Sequence, residues 1–178
     1  MSDLREILIK ELGDILDAEQ QLLKALPKMA AAATAGELKS ACEDHLEETE
    51  DHVARLKEVF EKLEVPAKSK TCKAMQGLLA EAEQGIKEND GDAALIALAQ
   101  KIEHYEIATY GTLRSWASVL EEDEVAELLS ENLDQEKEFD ERLTDIAEST
   151  ANIEAAEDEA AALEEEEGEE EEDEKPSR

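Results

Sequence analysis

Only two cysteines, three prolines and seven glycines occur among 178 residues, and aromatic side chains make up 3%. Cys42 and Cys72 are too few for a disulfide framework or for a zinc site built on thiolates alone. So little proline and glycine leaves few places to turn a chain of many short strands. Bases are scarce as well: 18 Lys and Arg stand against 50 Asp and Glu, a net charge of -32. Repulsion on that scale opposes free nucleic acid and anionic membrane surfaces as partners. No apolar run is long enough to cross a bilayer, and the opening MSDLREILIK lacks the basic-then-apolar order of a secretory signal. The expected location is the cytoplasm, with no nucleic acid and no membrane as partner.

What is present is alanine, leucine, glutamate and lysine, the residues that favour long helices. The expected fold class is all-α. Residues 151–178 hold 14 acids against Lys175 and Arg178, which leaves 36 acids and 16 bases, a net of -20, in residues 1–150. An acidic tail therefore accounts for only part of the charge. Acid spread over a whole surface with few lysines and aromatics looks like the proteins of salt-loving organisms, where charge is strongly screened, and the alternative is an ordinary acidic protein with an extra tail.

Apolar periodicity divides the chain. Residues 3–32 form one amphipathic helix, in which Pro27 predicts a kink or break. A second runs from about Glu37 to Leu63 and stops before Pro66. Residues 67–92 are too long for a simple turn and carry a short amphipathic helix through Ala74, Leu78, Ala82 and Ile86. A third long helix spans about Asp92–Val119 and a fourth about Asp123–Ala151. Four long helices with two short links and one long crossover predict a four-helix bundle over residues 1–150. Residues 151–178, with glutamate blocks around Gly168, are expected as a disordered acidic tail.

The interruptions of the apolar stripes carry the chemistry. On the first helix, positions 8, 12, 15, 19, 22 and 26 share a face, and Glu19 is their one polar member. Positions 95, 99, 102, 106, 109, 113 and 116 place Glu106 mid-stripe on the third long helix. Positions 125, 129, 132, 136, 139, 143 and 146 do the same for Glu136 on the fourth, beside Asn132. The second helix reads Leu38, Cys42, His45, Thr49, His52, Leu56 and Val59, with Glu48 next to both histidines. Every long helix thus has an acid at or beside the centre of its buried face, and no Lys or Arg occupies these stripes. Buried carboxylates cost several kcal/mol each when uncompensated, so protonation, water, a cation from another face or a metal must offset them. Carboxylates with one or two imidazoles suit two divalent ions, iron or manganese. Glu103 and Asp140, each one turn from a central acid, either complete such a site or face solvent. His45 and His52 either ligate or form hydrogen bonds, Cys42 belongs to the core, and Tyr105 and Tyr110 bond a ligand or pack.

The stretches ELGDILDAEQQLLKALPKMA (11–30), HLEETEDHVARLKEVFE (45–61), CKAMQGLLAEAE (72–83), KIEHYEIATYGTLR (101–114) and NLDQEKEFDERLTDIA (132–147) together resemble the YciE/YciF family of ferritin-like proteins. The resemblance covers about residues 3–149. It implies a ferritin-like bundle and stress-associated expression. Rubrerythrin-like relatives bind two irons, and by position Glu19, Glu48, Glu103, Glu106 and Glu136 match their acidic ligands. The chain departs from that pattern at Asp51 and Phe139, where histidine ligands are expected. His45 or His52 is the replacement for one imidazole and Asp140 for the other. The expected metal ligands are therefore Glu19, His45, Glu48, Glu103, Glu106, Glu136 and Asp140, holding two divalent ions, iron or manganese, with oxidation of the metal or reduction of oxygen or peroxide as the expected chemistry. The alternative is a metal-free helical stress or assembly protein with a vestigial polar layer. A homodimer is the expected assembly, and a basic molecule the expected partner of the tail.

Overall fold

A computed structural model of the chain describes residues 3–157 and 159–161. Helix α1 (Leu4–Ala32) is started by Asp3, whose side chain accepts the Glu6 amide at 2.8 Å and so satisfies one of the free first-turn donors. It runs through Pro27 to Ala32 without the expected break. Proline removes one backbone donor there, and the flanking Leu26, Met29 and Ala30 hold the last turns by burial.

Helix α2 (Gly36–Lys62) has no capping side chain of its own. Asp92, at the start of α4 (Gly91–Val119), supplies one from across the bundle. Its carboxylate accepts from the Thr34 amide at 2.9 Å, the Thr34 hydroxyl at 2.8 Å and the Ala35 amide at 2.6 Å. The crossover that follows α2 lies flat on α1. The Lys70 amide donates to the Gly13 carbonyl at 2.8 Å, and a Cβ on Gly13 would meet the Lys68 carbonyl oxygen at 2.7 Å. Helix α3 (Lys73–Glu88) then packs on α4 and α1 and ends at Asn89, whose left-handed backbone (φ 57°) reverses the chain.

Helices α4 and α5 (Asp123–Ile146) form one close pair, α1 and α2 the other, and α2 packs on α5 to complete the bundle. This is the four-helix arrangement with a helix-bearing crossover that the apolar periods predict. A π-helical turn, Ala147–Ala151, follows α5. Ala151, placed in the tail by composition, is buried against the core. Helical backbone continues over residues 152–157 and 159–161 with exposed side chains, because this alanine-rich stretch contains no breaker. That helix replaces the disorder expected from residue 151 on, and the rest of the expected tail, residue 158 and residues 162–178, lies outside the described residues.

The stripes on α1, α2 and α5 are buried at every expected position. On α4 the face is drawn differently: Tyr110 and Ala117 are buried, while Thr109 and Trp116 are half-buried. That helix packs against α1, α3 and α5, so its buried arc is wider than one stripe.

Candidate metal centre

Halfway along the bundle, all four long helices turn polar residues inward. Glu19 comes from α1, His45, Thr49 and His52 from α2, Glu103 and Glu106 from α4, and Asn132 and Glu136 from α5; each is essentially inaccessible to solvent. No Lys or Arg is buried among the described residues. Two convergent sets form: Glu19, His52 and Glu136 in one, His45, Glu103 and Glu136 in the other, with donor atoms within 4.8 Å of one another. Glu136 belongs to both. Its Oε1 lies 3.0 Å from His52 Nδ1, and its Oε2 lies 3.5 Å from His45 Nε2.

The outer nitrogens of the two imidazoles decide which nitrogen carries the proton. His52 Nε2 lies 3.1 Å from Gln135 Oε1, an acceptor that also takes Arg55 Nη1 at 2.8 Å, so His52 donates there. His45 Nδ1 lies 3.1 Å from Glu48 Oε2, again an acceptor. When neutral, each ring therefore presents a lone pair inward, to Glu19 at 3.4 Å and Glu136 for His52, and to Glu103 at 3.6 Å and Glu136 for His45. Lone pairs facing carboxylates across such distances repel unless a cation or a proton lies between them.

The unsatisfied groups point the same way. Glu19 Oε2, His45 Nε2, His52 Nδ1, Glu103 Oε2 and both oxygens of Glu106 and Glu136 are buried with no hydrogen-bond partner. Native interiors leave few such atoms, and here they concentrate at one level of the bundle. Burial pushes the Glu103 carboxyl well above the usual range, and the charge of Glu136 adds to this. Burial does the same to Glu106, reinforced by Glu19 and Glu136, and raises Glu19 despite the His52 imidazole beside it. For Glu136, burial is outweighed by His52, and its pKa falls. Burial lowers the His52 pKa, but Glu136 and Glu19 carry it up to about 10. The centre thus retains protons that carboxylates ordinarily shed.

The residues fit a pair of divalent ions. Four buried carboxylates, Glu19, Glu103, Glu106 and Glu136, equal the charge of two such ions, and two neutral imidazoles complete a mixed oxygen and nitrogen donor set. Neither cysteine belongs to the convergent sets. Of the residues expected as ligands, Glu19, His45, Glu103 and Glu136 come together there. Glu106 is buried beside them with both oxygens free. Glu48, 37% exposed, sits behind His45. Asp140 is engaged by Gln100 Nε2 at 3.2 Å and His104 Nε2 at 3.5 Å. Phe139, which replaces an expected histidine, stacks on the His45 ring with centroids 3.9 Å apart. His45 therefore brings an imidazole from α2 to the level where α5 has none.

The surrounding network was less visible from the sequence. Tyr110, fully buried, donates to Glu19 Oε1 and accepts from Asn132 Nδ2 at 3.0 Å. Asn132 Oδ1 accepts from Arg55 Nη1 at 2.9 Å, and Arg55 Nε pairs with Glu131 at 3.0 Å. Asn132 was signalled as a polar residue in an apolar stripe. Arg55 gave no signal, because it lies off the stripe and only its guanidinium reaches in.

Known proteins share this architecture. The family described as "Domain of unknown function (DUF892)" matches residues 3–156. Protein YciF of Escherichia coli strain K12 is 42% identical over 160 residues, which span 87% of this chain and 96% of YciF. The crystal structure of the E. coli stress protein YciF aligns with a TM-score of 0.80 at 43% identity, over 83% of this chain and 96% of that one. YcfI from Rhodopseudomonas palustris aligns at 0.78 with 41% identity, over 80% of this chain and 94% of its own. A dodecameric thioferritin, the bacterioferritin-related protein of Bacteroides fragilis, aligns at 0.60 with 17% identity over 92% and 91% of the two chains, a likeness of fold alone. With that ferritin-like fold and a family match over nearly its whole described length, the chain belongs to the DUF892 family, the family of YciF.

Proposed function

We propose that the protein is a ferritin-like stress protein that holds two divalent ions, iron or manganese, between its helices and uses them to reduce oxygen or peroxide. The observation that carries this reading is the convergence of unpartnered buried donors from four helices, with Glu136 common to both sets. The stress role follows from kinship with YciF, which is termed a stress protein. A bound pair of such ions supplies Lewis acidity and electrons for the reduction. The chain supplies the rest. Glu136 offers one oxygen to each position. Glu19 and Glu103 flank it, and Tyr110 orients Glu19 by its hydrogen bond. The apolar turns above and below, Leu12, Leu22, Leu56 and Leu129 among them, exclude water.

The experiment is metal analysis of protein purified without chelator and loaded anaerobically with iron(II) or manganese(II). About two ions per chain are expected, with both lost in Glu136→Ala because that residue serves both sets. Oxygen or peroxide consumption by the loaded protein tests the reaction. Wild type that binds no more metal than Glu136→Ala overturns the reading in favour of a metal-free assembly protein.

A further inference from the structure

The two halves of the centre share Glu136 yet are backed by different chemistry. Behind His45 stands a carboxylate: Glu48 Oε2 takes the Nδ1 proton at 3.1 Å and is 37% exposed. Behind His52 stands a neutral amide, Gln135 Oε1, whose lone-pair density is already drawn off by Arg55 Nη1 at 2.8 Å. A carboxylate behind an imidazole makes the inner nitrogen a stronger donor; an amide under a guanidinium does not. The carboxylates differ in the same sense. Glu19 gives Oε1 to the Tyr110 hydroxyl and keeps only Oε2 free, whereas the Glu103 carboxylate takes no such hydrogen bond and its Oε2 faces the centre alone. Arg55 also reaches Tyr110 through Asn132, so one cation tempers both the imidazole and the carboxylate of the same half.

We infer that the two metal positions are unequal by construction, and that the first divalent ion loads at the half formed by His45, Glu103 and Glu136. Glu48 and the Arg55–Gln135 pair are the positioning residues that set the order. This rests on the metal reading above and adds to it which position fills first and why. The Tyr110 hydroxyl and Arg55 temper the half that holds His52 and Glu19, which leaves the His45 half the better donor set.

The test is titration of the metal-free full-length protein with cobalt(II), followed by calorimetry and by the visible ligand-field bands. Two steps of different affinity are expected in the wild type. The tight step survives Glu19→Gln and is lost in Glu103→Gln. Glu48→Gln keeps an acceptor behind His45 but removes the charge, and weakens the tight step by roughly 10-fold to 100-fold while sparing the weak one. Gln135→Glu works in reverse: it puts a carboxylate behind His52 and tightens the weak step by about tenfold. Two equal steps, or a Glu48→Gln variant that changes neither or both alike, overturn the inference while leaving the metal reading intact. A wild type that takes up no cobalt overturns both. Unchanged far-ultraviolet circular dichroism in Glu48→Gln and Gln135→Glu excludes misfolding as the cause of a shift.

Discussion

Tyr110 is buried between a carboxylate and an amide, and its hydroxyl has one proton to give. It gives that proton to Glu19 and receives one from Asn132. Removing the hydroxyl in Tyr110→Phe leaves both partners unsatisfied, at a cost of about 1–3 kcal/mol to the metal-free protein. The other central groups set a pH dependence with a definite sign. Glu103 and Glu106 have folded pKa values above the ordinary carboxyl value, and His52 is raised to about 10 from 6.5. A raised folded pKa means the native state keeps protons that the unfolded chain releases. Stability is then full below the unfolded pKa and is lost as pH rises through the folded one. Glu136, whose pKa is lowered, acts the other way only below its ordinary 4.5. Metal-free protein should therefore be more stable at pH 5 than at pH 8, measured by urea unfolding in chelator and high salt. Metal displaces these protons, so loaded protein should lose that preference or reverse it.

At the scale of elements, the crossover is set by one residue that has no side chain. Gly13 lies inside α1, where alanine is intrinsically better by roughly 0.5–1 kcal/mol. Yet a Cβ there would press on the Lys68 carbonyl oxygen at 2.7 Å, in a strap fixed by the Lys70 amide. Backbone does not yield as a flexible side chain would, so Gly13→Ala should destabilise by about 1–3 kcal/mol despite its better propensity. Thermal unfolding is the check, and a gain in melting temperature would show that the strap moves aside freely. Nothing in the sequence marks Gly13 for this, since close approach of distant backbone leaves no local pattern. The stripes of α1, α2 and α5 were legible because each buries one narrow face. That of α4 was legible only in part, because three neighbours widen its buried arc and bring Glu103 and Tyr110 inside. At the centre, spacing located Glu19, Glu106 and Glu136. It also put His45 and His52 on the α2 stripe with Glu48 beside it; the family resemblance counted Glu48 as a ligand, and the structure sets it behind His45.

The whole molecule carries a net charge of -32, and its ion pairs are mostly exposed, as between Lys28 and Glu83 or Lys62 and Glu124. Exposed and screened by solvent, such pairs contribute little and do not offset a surface this acidic. Self-repulsion should destabilise the bundle in dilute buffer, where the screening length is long. The melting temperature should rise markedly between dilute buffer and about 1 M potassium chloride, where that length shrinks to about 3 Å. A flat or falling curve would assign the charge to ordinary acidity and remove the salt adaptation.

The two convergent sets draw on positions 19, 45, 52, 103 and 136, one or more from each long helix. On the metal reading proposed above, ions held there would act as knots joining distant lengths of one thread. Each helix would then be tethered until a knot is undone, and the lifetime of the folded chain would follow the residence time of its slowest ion. Loading should lengthen the unfolding half-life in denaturant by far more than it moves the equilibrium midpoint, while the refolding rate scarcely changes. A chain tied in this way would need no large reserve of stability, only a slow clock.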